Sequence, residues 1–385
     1  MFLEVVKNIK NKEMFIYLIL LSMSVAIGFQ GWSTLIVNFS IDAVGLTPAQ
    51  NGLLQSVREL PGLLTVGVVL LLLFVKEEKL VFFAALISAI GVSLTGYFPT
   101  LSGLIITCLI ASFGFHYFEG TNQSLTLQYF SKTEAPIVMG LLRSANACGN
   151  FVVGLCIFIA GDFFSYKQNF HLAGGLALIG IAVAFYFRPK TVVALPVQRR
   201  GVVIKARYWL FYLLTICSGA RRQMFVVFSL LLLVKNFNFT VRDIALLFLI
   251  NNLINWFLNP LVGRMINSIG ERKLLTIKYV CLSLIFFAYT EISNIWIIVA
   301  LYISEQFFFN FTLNIRTYFQ KIAHPEDIAP TMSFSVTLNH IAAVIVPFVG
   351  GMLWMYDFRL PFYMGVGFAI ASLILTQFMR IPDAD

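Results

Sequence analysis

Apolar runs long enough to cross a lipid bilayer recur along the whole chain, and no other feature limits its folding as strongly. They lie at about residues 14–38, 48–75, 80–97, 101–130, 135–160, 168–187, 207–235, 241–267, 272–290, 295–321, 328–353 and 361–380. A hydrocarbon core about 30 Å thick takes roughly 20 apolar residues per helix, and a segment inside it must satisfy its own backbone hydrogen bonds. The runs predict an all-α integral membrane protein of twelve transmembrane helices. Short punctuation separates them, such as Gly45-Leu46-Thr47-Pro48, Lys76-Glu77-Glu78-Lys79 and Pro325-Glu326-Asp327. Only the connection at 188–206 is long and polar. It divides the chain into a six-helix bundle at 1–187, a linker at 188–206 and a second six-helix bundle at 207–385.

Composition excludes the competing classes. With 59% hydrophobic and 12% charged residues, the chain carries about half the charge of an ordinary soluble domain. The formal charge of +9 gives no nucleic-acid surface, because the basic residues are scattered between apolar runs instead of forming a stripe. They sort by topology. If the N-terminus is cytoplasmic, seventeen Lys and Arg fall on that side and four, Lys167, Lys235, Arg242 and Arg359, on the other. Both termini and the linker are therefore expected on the cytoplasmic face of the cell membrane. The five cysteines all lie within apolar runs, with no Cys-x-x-Cys pair or Cys/His cluster, so no metal and no cofactor is expected. The first run follows Lys7, Lys10 and Lys12 and lacks a cleavage site, which makes it a helix and not a removed signal.

The halves also align with each other. A slide of 193 residues places Gln30 on Gln223, Thr47 on Thr240, Asn146 on Asn339 and Lys79 on Arg272, and a slide of 189 places Tyr129-Phe130 on Tyr318-Phe319. A duplicated six-helix unit accounts for this pattern.

Twelve helices, a 6+6 division, a basic central loop and a parallel repeat resemble the major facilitator superfamily of secondary transporters. The most specific local match runs from Gly263 to Lys273 and is similar to the family's cytoplasmic signature, Gly-x-x-x-Asp-x-x-Gly-x-Arg-Lys. Gly263, Gly270 and Arg272 match, whereas Asn267 replaces the acid, and the equivalent first-half stretch, 70–79, has lost both glycines. In helix 4, His116 and Glu119 stand where proton-coupled members carry Arg and Gln in an Arg-x-x-Gln-Gly element. The proline of the antiporter signature is missing from helix 5, which leaves the direction of transport open. The resemblance implies alternating access between the bundles, with helices 1, 4, 7 and 10 lining a central cavity.

Ionisable groups at membrane depth are costly and are normally paired or functional. Arg221 and Arg222 stand roughly 21 Å along helix 7 from Arg207, too deep to reach water easily. Guanidinium binds carboxylate or phosphate in a fork, so they are candidates for an anion clamp, the alternative being an ion pair with Glu305 or Glu119. Gln30, Gln223, Glu305 and Asn310 complete the expected substrate site. His116 and Glu119 share one helical face with Gln123 and are candidates for carrying a coupling proton. Arg58 and Glu59 in helix 2 are adjacent and are expected to pair with neighbours such as His340 or Asn339 more readily than with each other. Arg143 is expected to brace helix 5 against the asparagines of helix 8. These four, Arg58, Glu59, Arg143 and His340, form an expected gating or structural network with Gly263, Gly270 and Arg272.

The expected function is secondary active transport of a small anionic or amphipathic organic solute, coupled to protons, by a chain that works as a monomer in the lipid bilayer. One alternative is proton-coupled efflux of hydrophobic compounds. A second is a transporter-like sensor or a polytopic membrane enzyme. No His-Glu-x-x-His, Walker-type Gly-rich loop, Asp-rich metal motif or Cys/His pair is present, and the loops are too short for a catalytic domain.

Overall fold

The computed structural model describes residues 9, 11–71, 74–130, 134–161, 163–189 and 204–380. Most of the linker at 188–206 lies outside the described residues, as do the side chains at 255–264, which include part of the Gly263 to Lys273 signature. The described residues form helices and turns without a strand.

In chain order the rods are α1 (Lys12–Asn38), α2 (Pro48–Leu63, continued by a 3₁₀ turn and Val68–Leu71), α3 (Glu77–Thr95), α4 (Leu101–Tyr129), α5 (Glu134–Ala160) and α6 (Tyr166–Tyr186). After the linker come α7 (Trp209–Gln223, widening to a π turn at Met224–Ser229 and resuming at Leu230–Phe237), α8 (Val241–Ile269) and α9 (Glu271–Glu291). Then follow α10 (Ile295–Phe309, a 3₁₀ turn at Asn310–Thr312, then Leu313–Ile322), α11 (Pro325–Trp354) and α12 (Arg359–Gln377). Ten of these rods are long and apolar enough to cross a membrane. The remaining two of the twelve expected spans are α2 and α8. Both include side chains outside the described residues, at 66, 67, 69 and 70 in α2 and at 255–264 in α8.

Local chemistry sets several helix boundaries. The Asn11 side chain accepts from Met14 N at 3.1 Å to start α1. Ser165 and Gln168 form a reciprocal capping box at α6. Pro61 has no N–H and crowds the preceding turn, and α2 tightens to 3₁₀ geometry three residues later. Gly270 separates α8 from α9 with φ +86°, a left-handed conformation that glycine adopts without strain.

The chain forms two compact units. The first comprises Met1–Val44, Pro61–Gln198 and Thr240–Leu249; the second comprises Gly45–Leu60, Arg199–Phe239 and Ile250–Asp385. Within the first, α3 and α4 approach closely because Gly91 faces Ala111 and Gly114 faces Ala84 and Ser88, where any side chain would collide. Within the second, α11 is the common support. Gly52 of α2 rests against the Pro347 carbonyl and Gly351, and Gly219 of α7 rests against Asn339. Asn339 also donates to the Thr215 carbonyl at 3.4 Å. These contacts set the first half of α2 and the middle of α7 beside His340.

Candidate functional site

The second unit holds two adjoining groups of buried charges. The first is centred on Glu59, which is 3% exposed. Its Oε1 accepts from Arg58 Nη2 at 2.7 Å and Nε at 3.3 Å. Its Oε2 accepts from Arg222 Nη2 at 2.9 Å and lies 3.0 Å from His340 Nδ1, the donor to an ionised carboxylate. The expectation that Arg58 and Glu59 cannot pair well with each other is corrected here. The long arginine side chain folds back over the adjacent residue, and in a buried position that pairing outweighs the poor alignment of neighbours on a helix. Arg222 finds its counter-ion in Glu59, not in Glu305 or Glu119.

The second group surrounds a cavity with about 290 Å³ of empty space, part of it open to solvent. Arg221 and Arg222 from α7 and Lys278 from α9 give it three basic walls, and Glu305 from α10 gives it one acidic wall. Phe225, Leu282, Phe286 and Phe309 supply its apolar surface. Neutral groups hold the deepest cations. Arg221 Nη1 donates to Ser372 Oγ and, at 3.3 Å, to the Phe368 carbonyl of α12, while its guanidinium lies 4.4 Å from the centre of the Tyr279 ring. Lys278 Nζ donates to Thr312 Oγ1 at 2.8 Å. Among the described residues neither Arg221 nor Lys278 has a carboxylate within ion-pair distance. Both are nearly inaccessible, at 5% and 2% exposure.

Glu305 is equally enclosed. Its Oε2 accepts from Ser229 Oγ at 2.9 Å and from Tyr289 OH at 3.0 Å, and its Oε1 has no hydrogen-bond partner. Arg221 Nη2 is likewise buried without a partner. The π turn at Met224–Ser229 contributes to this arrangement, because it adds a residue to the turn directly after Arg221 and Arg222 and ends on the serine that reaches Glu305.

The other expected site residues are placed as follows. Gln223 is fully buried, with both amide atoms unpartnered, and is not a wall of the cavity. Asn310 opens the 3₁₀ turn between two cavity residues, Phe309 and Thr312, and is half-buried. In the first unit, Gln30 contacts Thr34 at 3.4 Å, His116 is half-buried against the Phe115 ring, and Glu119 and Arg143 are exposed. Arg272 lies in the first turn of α9 and donates to Gln377 Oε1 of α12 at 3.3 Å. Gly263 lies within α8, where the surrounding side chains are outside the described residues.

Lys278 is the functional candidate that sequence reasoning missed. The sequence places it within the predicted helix at 272–290, apart from the loop charges, but assigns it no role in the site. Its signal is modest: six residues into an apolar helix, it is too far along to join the loop charges.

Comparison with known proteins places this geometry in context. Residues 211–384 match the Major Facilitator Superfamily. Among curated proteins, none matches the chain in sequence. A variant of the nucleoside transporter NupG shares the fold with a TM-score of 0.76 at 14% identity, covering 95% of this chain and 99% of that one. A bacterial homologue of the human lysosomal transporter Spinster, inward-facing and occupied, gives 0.75 at 11% identity over 95% and 96%. A variant of the peptide transporter POT in complex with sulfate gives 0.73 at 13% over 98% and 96%. Residues 211–384 of this multi-pass membrane protein thus match the Major Facilitator Superfamily in sequence, and nearly the whole chain shares the fold of these solved transporters.

Proposed function

We propose that the protein is a secondary active transporter of a small organic anion or amphipathic acid, driven by protons across the cytoplasmic membrane. The observation that carries this reading is the cavity in which Arg221 and Lys278 are buried without a carboxylate counter-ion. Buried cations are expensive unless paired, and a negatively charged solute would supply the missing partner. The bundles at 1–187 and 207–385 alternate access to this site. Arg221, Arg222 and Glu305 serve as substrate ligands, with Gln30, Gln223 and Asn310 as further polar contacts. Glu119 and His116, one turn apart on α4, carry the coupling proton. Arg58, Glu59 and His340 form the gating network with Arg143, Gly263, Gly270 and Arg272. The transporters of similar fold named above act on nucleosides and peptides, which are also small polar organic solutes.

Phe225, Phe286 and Phe309 on the cavity wall favour a second reading, proton-coupled efflux of hydrophobic compounds. Flux in proteoliposomes separates the two. The anion reading expects accumulation of radiolabelled organic acids under an imposed pH gradient, lost when Arg221 and Arg222 are both replaced by Gln. Transport of neutral hydrophobic compounds alone, unaffected by that double replacement, would overturn it.

A further inference from the structure

We infer that the cavity selects an organic acid of net charge −1 that also carries a hydroxyl group remote from its acidic end. The inference rests on the anion reading above and deepens it. Two polar atoms on the walls point to a two-ended ligand. Arg221 Nη2 is a buried donor without an acceptor, and Glu305 Oε1 is a buried acceptor without a donor. They belong to side chains on two different walls, α7 and α10, of one cavity. A carboxylate or phosphate oxygen answers the first, with Lys278 Nζ as its second cation, and a hydroxyl answers the second.

The charge sum fixes the rest. Arg222 belongs to the Glu59 cluster, which it shares with Arg58, and the wall charges outside that cluster are Arg221, Lys278 and Glu305. Lys278 and Glu305 add to zero whether both are ionised or both are neutral, and Arg221 leaves +1. A monoanion balances it. A dianion would bring a second negative charge toward the Glu305 wall, and an ammonium would leave Arg221 uncompensated overall. The phenylalanines and Leu282 accommodate the carbon skeleton between the two ends.

A matched series tests this on the purified full-length protein, with affinity measured by calorimetry and by shift of the thermal midpoint. The probes are four- and six-carbon linear carboxylates ending in methyl, hydroxyl, ammonium or a second carboxylate. The hydroxy acid should bind about tenfold more tightly than the methyl-ended acid of equal length, the effect of one hydrogen bond to a charged group. Glu305→Leu should remove that preference, so that the methyl- and hydroxyl-ended acids of equal length bind with equal affinity. Lys278→Met should weaken both about equally. Equal binding of methyl- and hydroxyl-ended acids overturns the hydroxyl site and leaves the anion reading intact. Tightest binding of the diacid or the amino acid overturns the charge assignment. If no member of the series binds, both the inference and the anion reading are overturned.

Discussion

Glu59 and Glu305 are both carboxylates buried in the second unit, and their surroundings give them different work. Glu59 accepts from two arginines and lies beside His340, so it is an anchor for charge. Glu305 accepts only from a serine and a tyrosine and keeps one oxygen in reserve. The two adjacent arginines divide in the same way. Arg222 has its counter-ion, whereas Arg221 has hydroxyl, carbonyl and ring partners only. Arg221→Gln is therefore expected to weaken substrate binding by about 1.5–3 kcal/mol, the range for a charge-assisted hydrogen bond, with Arg221→Lys restoring charge but not the planar fork. Arg222→Gln should lower stability as well, since it strips a partner from buried Glu59. Binding and thermal unfolding measured together distinguish these effects; unchanged affinity in both Gln variants would make the arginines structural. For coupling, Glu119→Gln imitates a protonated carboxyl and should preserve substrate exchange while abolishing accumulation against a gradient. Counterflow and proton-driven uptake, assayed in the same vesicles, check this, and full accumulation would remove Glu119 from the mechanism. The depth of Arg221 and Arg222 was legible from residue counting along one helix. The partnership of Arg222 with Glu59 was not, because 163 residues separate them and only packing on α11 joins them.

At the scale of elements, α11 holds the second unit together at both ends. Near its start, Asp327 accepts from Lys205 Nζ at 2.7 Å and from Tyr208 OH at 2.6 Å, tying the end of the linker to the helix. These two hydrogen bonds hold the Asp327 carboxyl below the ordinary aspartate range. Its stabilisation is complete above the unfolded value of about 3.9 and is lost as pH falls through the lower folded value. Asp327→Asn should lower the thermal midpoint at neutral pH, and the gap from the parent should close below about pH 4. A gap that persists unchanged into acid would assign the effect to packing. Farther along, Gly52 lets α2 lie directly on the Pro347 carbonyl. Gly52→Val should cost about 1–3 kcal/mol through forced separation of the helices, while Gly367→Val on α12, where the space is open, should be nearly neutral. Helix positions were readable in the sequence because hydropathy is a local property. The π turn after Gln223 and the 3₁₀ turns in α2 and α10 were not, since Pro61 alone announced an interruption.

For the whole molecule, the expected orientation puts 188–206 and both termini in the cytoplasm. Single cysteines at Gln198 and Asp42, introduced into a variant lacking native cysteines, test it with an impermeant reagent on intact cells. Asp42 should label and Gln198 should not; the reverse pattern would invert the topology. The fold was legible from run lengths and the linker, because a bilayer leaves few alternatives. How the chain apportions its helices was hidden. The first unit takes Thr240–Leu249 from the second half of the sequence, and the second takes Gly45–Leu60 from the first half. Under the 193-residue slide, 45–60 falls on 238–253, so the traded segments are counterparts in the expected internal repeat. The trade is reciprocal, as in a domain-swapped pair of identical subunits. A half-length ancestor would then have been an obligate homodimer in which each copy completed the other's fold. Joining two such copies in one chain would turn that encounter between molecules into an event within one, replacing protein abundance with the high effective concentration of a short tether. Once joined, the copies would be free to diverge, and Arg221, Arg222 and Lys278 stand in the second half alone.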